Sequence, residues 1–250
     1  MTISAKIICD SRYASDRLTT MELKYPRFIH AEFMTHRVFS RNASSSRAIP
    51  IQRQIDMIKE DTAMPTHWGK NQSGMQAQEE LTGSALLTVQ TLWNEARDNA
   101  IEIAEQMLKH GAHKQIVNRI LEPFSHITVL VTSDSWGNFF ALRNHPDAQP
   151  EIQELARQMM KAMDESTPRV LDSPDEWHLP YIDEQDVKDA QDKIRSTSIT
   201  RAMPTRSEVA KILCAISAAR CARVSYLTHD KKRPTLEEDM NLFFRLAHAN

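Results

Sequence analysis

The chain holds only five glycines in 250 residues: Gly69, Gly74, Gly83, Gly111 and Gly137. None of them forms a GxGxxG fingerprint or a P-loop, so the glycine-built phosphate cradles that join a strand to a helix are excluded. A nucleotide bound here must be held by side chains and helix ends. That restriction directs attention to arginines, hydroxyls and amides.

Few strands are expected. Residues 5–9 and 18–24 read as strands, the second alternating Leu18, Met21 and Leu23 with polar neighbours. Pro26 is expected to open a helix carrying Phe28, Ile29, Phe33 and Met34, since a first-turn proline loses no hydrogen bond. The Ser- and Asn-rich residues 40–48 read as a loop, 51–60 as a short helix and 61–76 as an ordered loop. Apolar residues at three- and four-residue spacing predict a long helix over 77–109, closed by Gly111. A helix over 112–121, a buried strand over 126–132 and helices over 135–144 and 148–164 follow. The segment 165–204, with Pro168, Pro174, Pro180 and Pro204, reads as a surface insertion bearing a polar helix near 185–195. Helices over 206–219 and 234–248 close the chain around the strand-like ARVSY. The expected architecture is α+β, a single domain over 1–250 with helices packed on a small, mostly antiparallel sheet.

Charged residues make up 26% and the formal net charge is −2, which argues against bulk nucleic-acid binding but leaves room for one phosphate. Cys9, Cys214 and Cys221 form no CxxC pair, which disfavours a disulfide framework or structural zinc and points to a reducing cytoplasm. No apolar run suits a signal peptide or a membrane span, so no membrane partner is expected. His110 and His113 lack a third ligand, and no metal site is expected.

The densest polar cluster is THRVFSRNASSSR, Thr35 to Arg47, with three arginines, four serines and an asparagine in thirteen residues. Arginine forks suit phosphate oxygens, and hydroxyls add shorter hydrogen bonds. On composition alone the cluster reads equally as a solvated loop. Its pattern resembles the signature RHRxxSxNExSxR of the flavin-dependent thymidylate synthases (the ThyX family), with His36, Arg37, Ser40, Asn42, Ser45 and Arg47 at matching positions. A second stretch, KQIVNRILEPFSHITVLVTSDSWGNFFALRNHPDAQPEI, is similar to the family's second region, matching at Arg119, Asn138, Leu142, Arg143, Ala148, Gln149, Glu151 and Ile152. A third, SAARCARVSY (217–226), looks like the family's N-terminal segment displaced toward the C-terminus. The displacement suggests a circular permutation, and a natural chain that continues past Asn250.

The resemblance implies reductive methylation of dUMP to dTMP, with FAD as cofactor and methylenetetrahydrofolate and NADPH as co-substrates. It implies a homotetramer whose active sites are shared between subunits. By position, Arg143 would act catalytically on the pyrimidine. Ser45, Arg47, Arg119 and Arg143 would bind dUMP, and His36, Arg37, Asn42, Asn138 and Ser225 would contact FAD. The chain departs from the pattern at Thr35, Ala43, Glu32 and Asp147, where the family carries arginine, glutamate, glutamine and histidine. These departures keep two alternatives open: a related enzyme that methylates or hydroxymethylates another pyrimidine nucleotide, and a non-catalytic nucleotide- or flavin-binding protein.

Overall fold

The computed structural model describes residues 2–173, 176–197, 203–224 and 233–248. Five strands form one mixed sheet: β1 (Ser4–Tyr13), β2 (Asp16–Pro26), β3 (Ser40–Ala43), β4 (His126–Ser133) and β5 (Arg169–Val170). Their order is β3-β4-β2-β1-β5, antiparallel throughout except for the parallel β1/β5 edge. The helices are α1 (His30–Phe33), α2 (Ile51–Glu60), α3 (Gly83–Lys109), α4 (Lys114–Leu121), α5 (Gly137–Arg143), α6 (Pro150–Asp164), α7 (Glu184–Thr197), α8 (Arg206–Ala222) and α9 (Leu236–Ala247). The α+β expectation is met.

Period-two alternation places Met21, Leu23 and Tyr25 of β2 beside Ile127, Val129 and Val131 of β4, all essentially inaccessible. Against this face pack Ile152, Leu155 and Met159, spaced at three and four residues along α6, with Phe33 and Phe139 closing the core. Each such buried side chain contributes about 1.5–3 kcal/mol relative to exposure. A second core joins Ile55 and Ile58 of α2, Ile101 of α3, and Val117 and Leu121 of α4. A third joins Ala190 of α7 to Val209, Leu213 and Ile216 of α8.

The opposite face of the sheet is polar. Thr20 Oγ1 lies 2.7 Å from Thr132 Oγ1 and 2.7 Å from His178 Nε2, while His178 Nδ1 lies 3.0 Å from Ser11 Oγ. Tyr181 donates to Glu22 at 3.0 Å. The stretch 165–204 thus supplies β5, a strap across this face, and α7.

Four local expectations are corrected. Pro26 ends β2 opposite His126 instead of opening a helix. A 3-10 turn (Arg27–Ile29) and the single turn α1 follow, because the ladder with β4 holds Pro26 extended and Arg27 N–H bonds the Ser125 carbonyl at 2.9 Å. The Ser- and Asn-rich stretch starts with strand β3, paired Ser40–Thr132 through Ala43–Val129, before a 3-10 turn at Ser46–Ala48. Polar composition hides a strand whose partner is ninety residues away. The long helix starts at Gly83, not 77, because residues 68–81 close on themselves through Lys70 N–H to Glu79 O and Leu81 N–H to Trp68 O. Finally, α8 runs on through Ala222 into the segment expected as a strand.

Candidate functional site

The signature cluster begins just after α1 and runs through β3 into the 3-10 turn at Ser46–Ala48. After α1 the chain turns sharply, with His36 N–H on the Phe33 carbonyl at 3.2 Å. Arg41 locks that turn from inside by donating to the carbonyls of Met34 (3.1 Å) and His36 (2.6 Å). The turn drives the His36 ring into the core, edge-on to Phe139 at 4.8 Å and stacked on Phe39 at 6.1 Å.

Arg143, at the C-terminal end of α5, meets this ring. Its Nε donates to His36 Nε2 at 2.8 Å, and its Nη1 donates to the carboxylate of Glu32 on α1. Burial, with the adjacent Arg143 and Arg41 charges, holds the His36 pKa below its ordinary value. The neutral ring can therefore accept from the guanidinium. Arg143 and Glu32 open into a cleft of about 1060 Å³, walled by Phe28, His67, Trp93 and Gln149. The far wall is the loop before α3. Buried Glu151, at the start of α6, holds this loop by accepting from Thr66 N–H (2.6 Å) and Thr66 Oγ1 (3.0 Å).

A second group forms where the 3-10 turn at Ser46–Ala48 meets α4. Arg119 pairs with Glu122 at 2.9 Å, and the same carboxylate oxygen accepts from Ser46 Oγ at 2.6 Å. Buried Asn118 donates to the carbonyls of Ser46 (2.7 Å) and Ile49 (2.9 Å), which fixes the turn presenting Ser45 and Arg47. Arg47 and Arg119 are solvent-exposed.

The structure thus brings His36 and Arg143 into contact, and sets Arg119 beside the Ser45–Arg47 turn. Among the described residues no hydrogen bond or ion pair joins the two groups. Arg37 and Asn138 are exposed. Asn42 spends its amide on the Cys221 carbonyl at 2.6 Å, which brings the displaced SAARCARVSY segment to the signature strand. Ser225 lies outside the described residues. Among the described residues no cluster of His, Cys, Asp or Glu could hold a metal. No helix among the described residues is long and apolar enough to cross a membrane. Sequence reasoning assigned no role to Asn118, Glu122 or the Glu151–Thr66 contact. The i,i+3 spacing of Arg119 and Glu122 and the motif match at Glu151 were the readable signals among these.

The family model described as "thymidylate synthase complementing protein" matches residues 18–169. Among solved structures, the UMP/dUMP methylase PolB from Streptomyces cacaoi, bound with 5-Br UMP, is similar with a TM-score of 0.52 and 18% identity, over 65% of this chain and 88% of that one. The flavin-dependent thymidylate synthase ThyX from Helicobacter pylori, complexed with FAD and dUMP, aligns with a TM-score of 0.41 and 18% identity, over 58% and 67% of the two chains. No curated protein matches by sequence. The PolB likeness shows a shared fold. The family match takes in more than half of the chain, from β2 to the first residue of β5, including the signature cluster and Arg143, and the chain belongs to the thymidylate synthase complementing protein family.

Proposed function

We propose that this protein methylates C5 of a pyrimidine nucleotide reductively, with dUMP to dTMP as the reaction to test first. The observation that carries the reading is Arg143, aimed into the cleft and oriented by a neutral His36. Attack from pyrimidine C5 requires negative charge to build on the ring, and a fixed cation beside it stabilises that charge more than the ground state. The loop held by Glu151 forms one wall of the cleft and keeps its shape. Arg47 and Arg119, exposed beside the Ser45 turn, supply forked donors for the nucleotide phosphate.

Side chains supply neither a one-carbon unit nor a hydride. Methylenetetrahydrofolate is proposed for the carbon, and FAD reduced by NADPH supplies the hydride when bound. Exposed Arg37 and Asn138 present donors suited to the phosphates and ring carbonyls of such a cofactor. His36 and Asn42 act instead within the protein, as the orienter of Arg143 and the tie to Cys221. A cytoplasmic homotetramer with sites shared between subunits is part of the proposal. It draws support from α3, which leaves Leu87, Leu92 and Ile103 exposed. A circularly permuted order is proposed too, supported by the contact of Asn42 with the displaced segment.

Purified protein is expected to show bound-flavin absorbance and to alkylate a pyrimidine nucleotide with methylenetetrahydrofolate and NADPH, dUMP to dTMP being assayed first. Colourless protein that neither takes up FAD nor alkylates any pyrimidine nucleotide sinks the proposal. A second reading, another pyrimidine nucleotide as substrate, is favoured by the Glu32 carboxylate on Arg143.

A further inference from the structure

The walls of the Arg143 cleft carry one arginine against three carboxylates, Glu32, Asp147 and Glu151. A phosphate would meet repulsion there, so the cleft suits an uncharged ring and leaves phosphate to the exposed arginines. The ring meets a defined pattern. Glu32 uses one carboxylate oxygen on Arg143 Nη1, and Arg143 uses Nε on His36. Among the described residues, the other Glu32 oxygen and Arg143 Nη2 have no partner. An acceptor and a donor therefore stand side by side, joined by their own ion pair.

We propose that Glu32 and Arg143 together read the amino-bearing edge of a cytosine ring, so that the nucleotide of this site is a cytidine nucleotide. The inference rests on the cleft being the pyrimidine site, and deepens that reading by naming the base. Cytosine offers one donor, its exocyclic amino group, followed by two acceptors, ring N3 and the 2-carbonyl. The carboxylate accepts from the amino group and the guanidinium donates to N3 and the carbonyl, so every group on that edge is matched. Uracil offers acceptor, donor, acceptor. Placing its N3–H on Glu32 leaves one ring carbonyl beside the carboxylate with no donor. Unpaired polar groups of this kind give sites built on hydrogen bonds their discrimination.

Full-chain protein in the presence of FAD is titrated calorimetrically with dCMP and with dUMP. The expected result is dCMP binding tighter by about tenfold or more, the discrimination one unpaired polar group supplies. Glu32→Gln, whose amide can donate as well as accept, is expected to bring the two affinities together. Equal or tighter binding of dUMP by the wild type, or a preference unaltered in Glu32→Gln, overturns the assignment. A tetrahydropterin that occupies the cleft while dCMP does not bind also overturns it, since the amino-bearing edge would then belong to that ring. Arg143→Ala separates the two levels of inference. If dUMP is preferred and Arg143→Ala abolishes its binding, the cleft remains the pyrimidine site and only the base assignment falls. If neither nucleotide binds the wild type, both fall.

Discussion

Arg143 lines the cleft with each nitrogen in a different circumstance: Nε on a neutral histidine, Nη1 on a carboxylate, and Nη2 without a partner among the described residues. The His36 bond fixes the plane of the guanidinium, which matters because a preorganised cation stabilises developing charge without reorganising first. Arg143→Ala is therefore expected to lower kcat/KM by about 10²–10³-fold, as loss of one such donor does elsewhere. Its thermal midpoint should stay close to wild type, since the side chain lies at the cleft rather than in the core. Removing Arg143 also removes a charge that depresses the His36 pKa, so the imidazole should titrate at a higher pH in the variant. Proton NMR of the His36 ring checks this directly, and an unmoved titration would show that the two side chains do not interact. The matched motifs single out both His36 and Arg143 in the sequence. Their contact was not legible there, because 107 positions separate them and only the fold closes that distance.

At the scale of elements, the wall of the cleft is made by a loop that carries its own constraint. A Cβ on Gly69 would stand 2.2 Å from the Cβ of Ala77, which it faces across the closed loop. Gly69→Ala should push the 69–80 bridge apart, and the expected outcome is a raised KM with little change in global stability. Glu151→Ala acts on the same loop from its base by depriving Thr66 of its buried acceptor. The cost should be about 1.5–3 kcal/mol, the net worth of hydrogen bonds to a charged acceptor. Limited proteolysis should then cut within residues 61–82 faster than in the wild type; unchanged cleavage would show that Glu151 does not hold the loop. The sequence announced this stretch as ordered, through its proline and glycines, but not what anchors it. Likewise, β3 could not be read from its own composition, since a polar edge strand owes its existence to the ladder offered by β4.

Across the whole molecule, two devices organise the C-terminal part: one joins its helices to one another and the other ties it to the sheet. One is an ion network: buried Arg220 of α8 bonds Asp186 of α7 at 2.7 and 2.8 Å and Asp239 of α9 at 2.9 Å. Burial raises the Asp186 pKa, but the Arg220 bonds and the Asp183 amide outweigh it and bring the pKa down to about 2. Arg220→Ala would remove the cation the two buried carboxylates share, leaving Asp186 to Arg233 and Asp239 to Arg223, and should destabilise the protein by about 1–3 kcal/mol in chemical denaturation. The other is the His178 strap. Burial lowers the pKa of His178, and likewise of His126 beneath α2, to about 4 from an ordinary 6.5. Acid therefore protonates the unfolded chain first. The stability is fully present above about pH 6.5 and is lost as the pH falls through the folded value near 4. The melting temperature should decline over that window, and His178→Gln should flatten the decline. Neither device was visible in the sequence, where 165–204 read as a solvated excursion. Asp186 and His178 look like surface residues until their partners arrive from other elements.

The bond from Asn42 to the Cys221 carbonyl has a consequence for how substitutions in this chain should be interpreted. Position 221 is read through its backbone, so serine or alanine there preserves the contact whatever becomes of the thiol. Position 42 is read through a side-chain N–H, and aspartate, nearly the same shape, would set one oxygen against another. Tolerance at 221 paired with intolerance at 42 would look, in a mutational scan, like an essential residue with an irrelevant neighbour. The two are halves of one clasp.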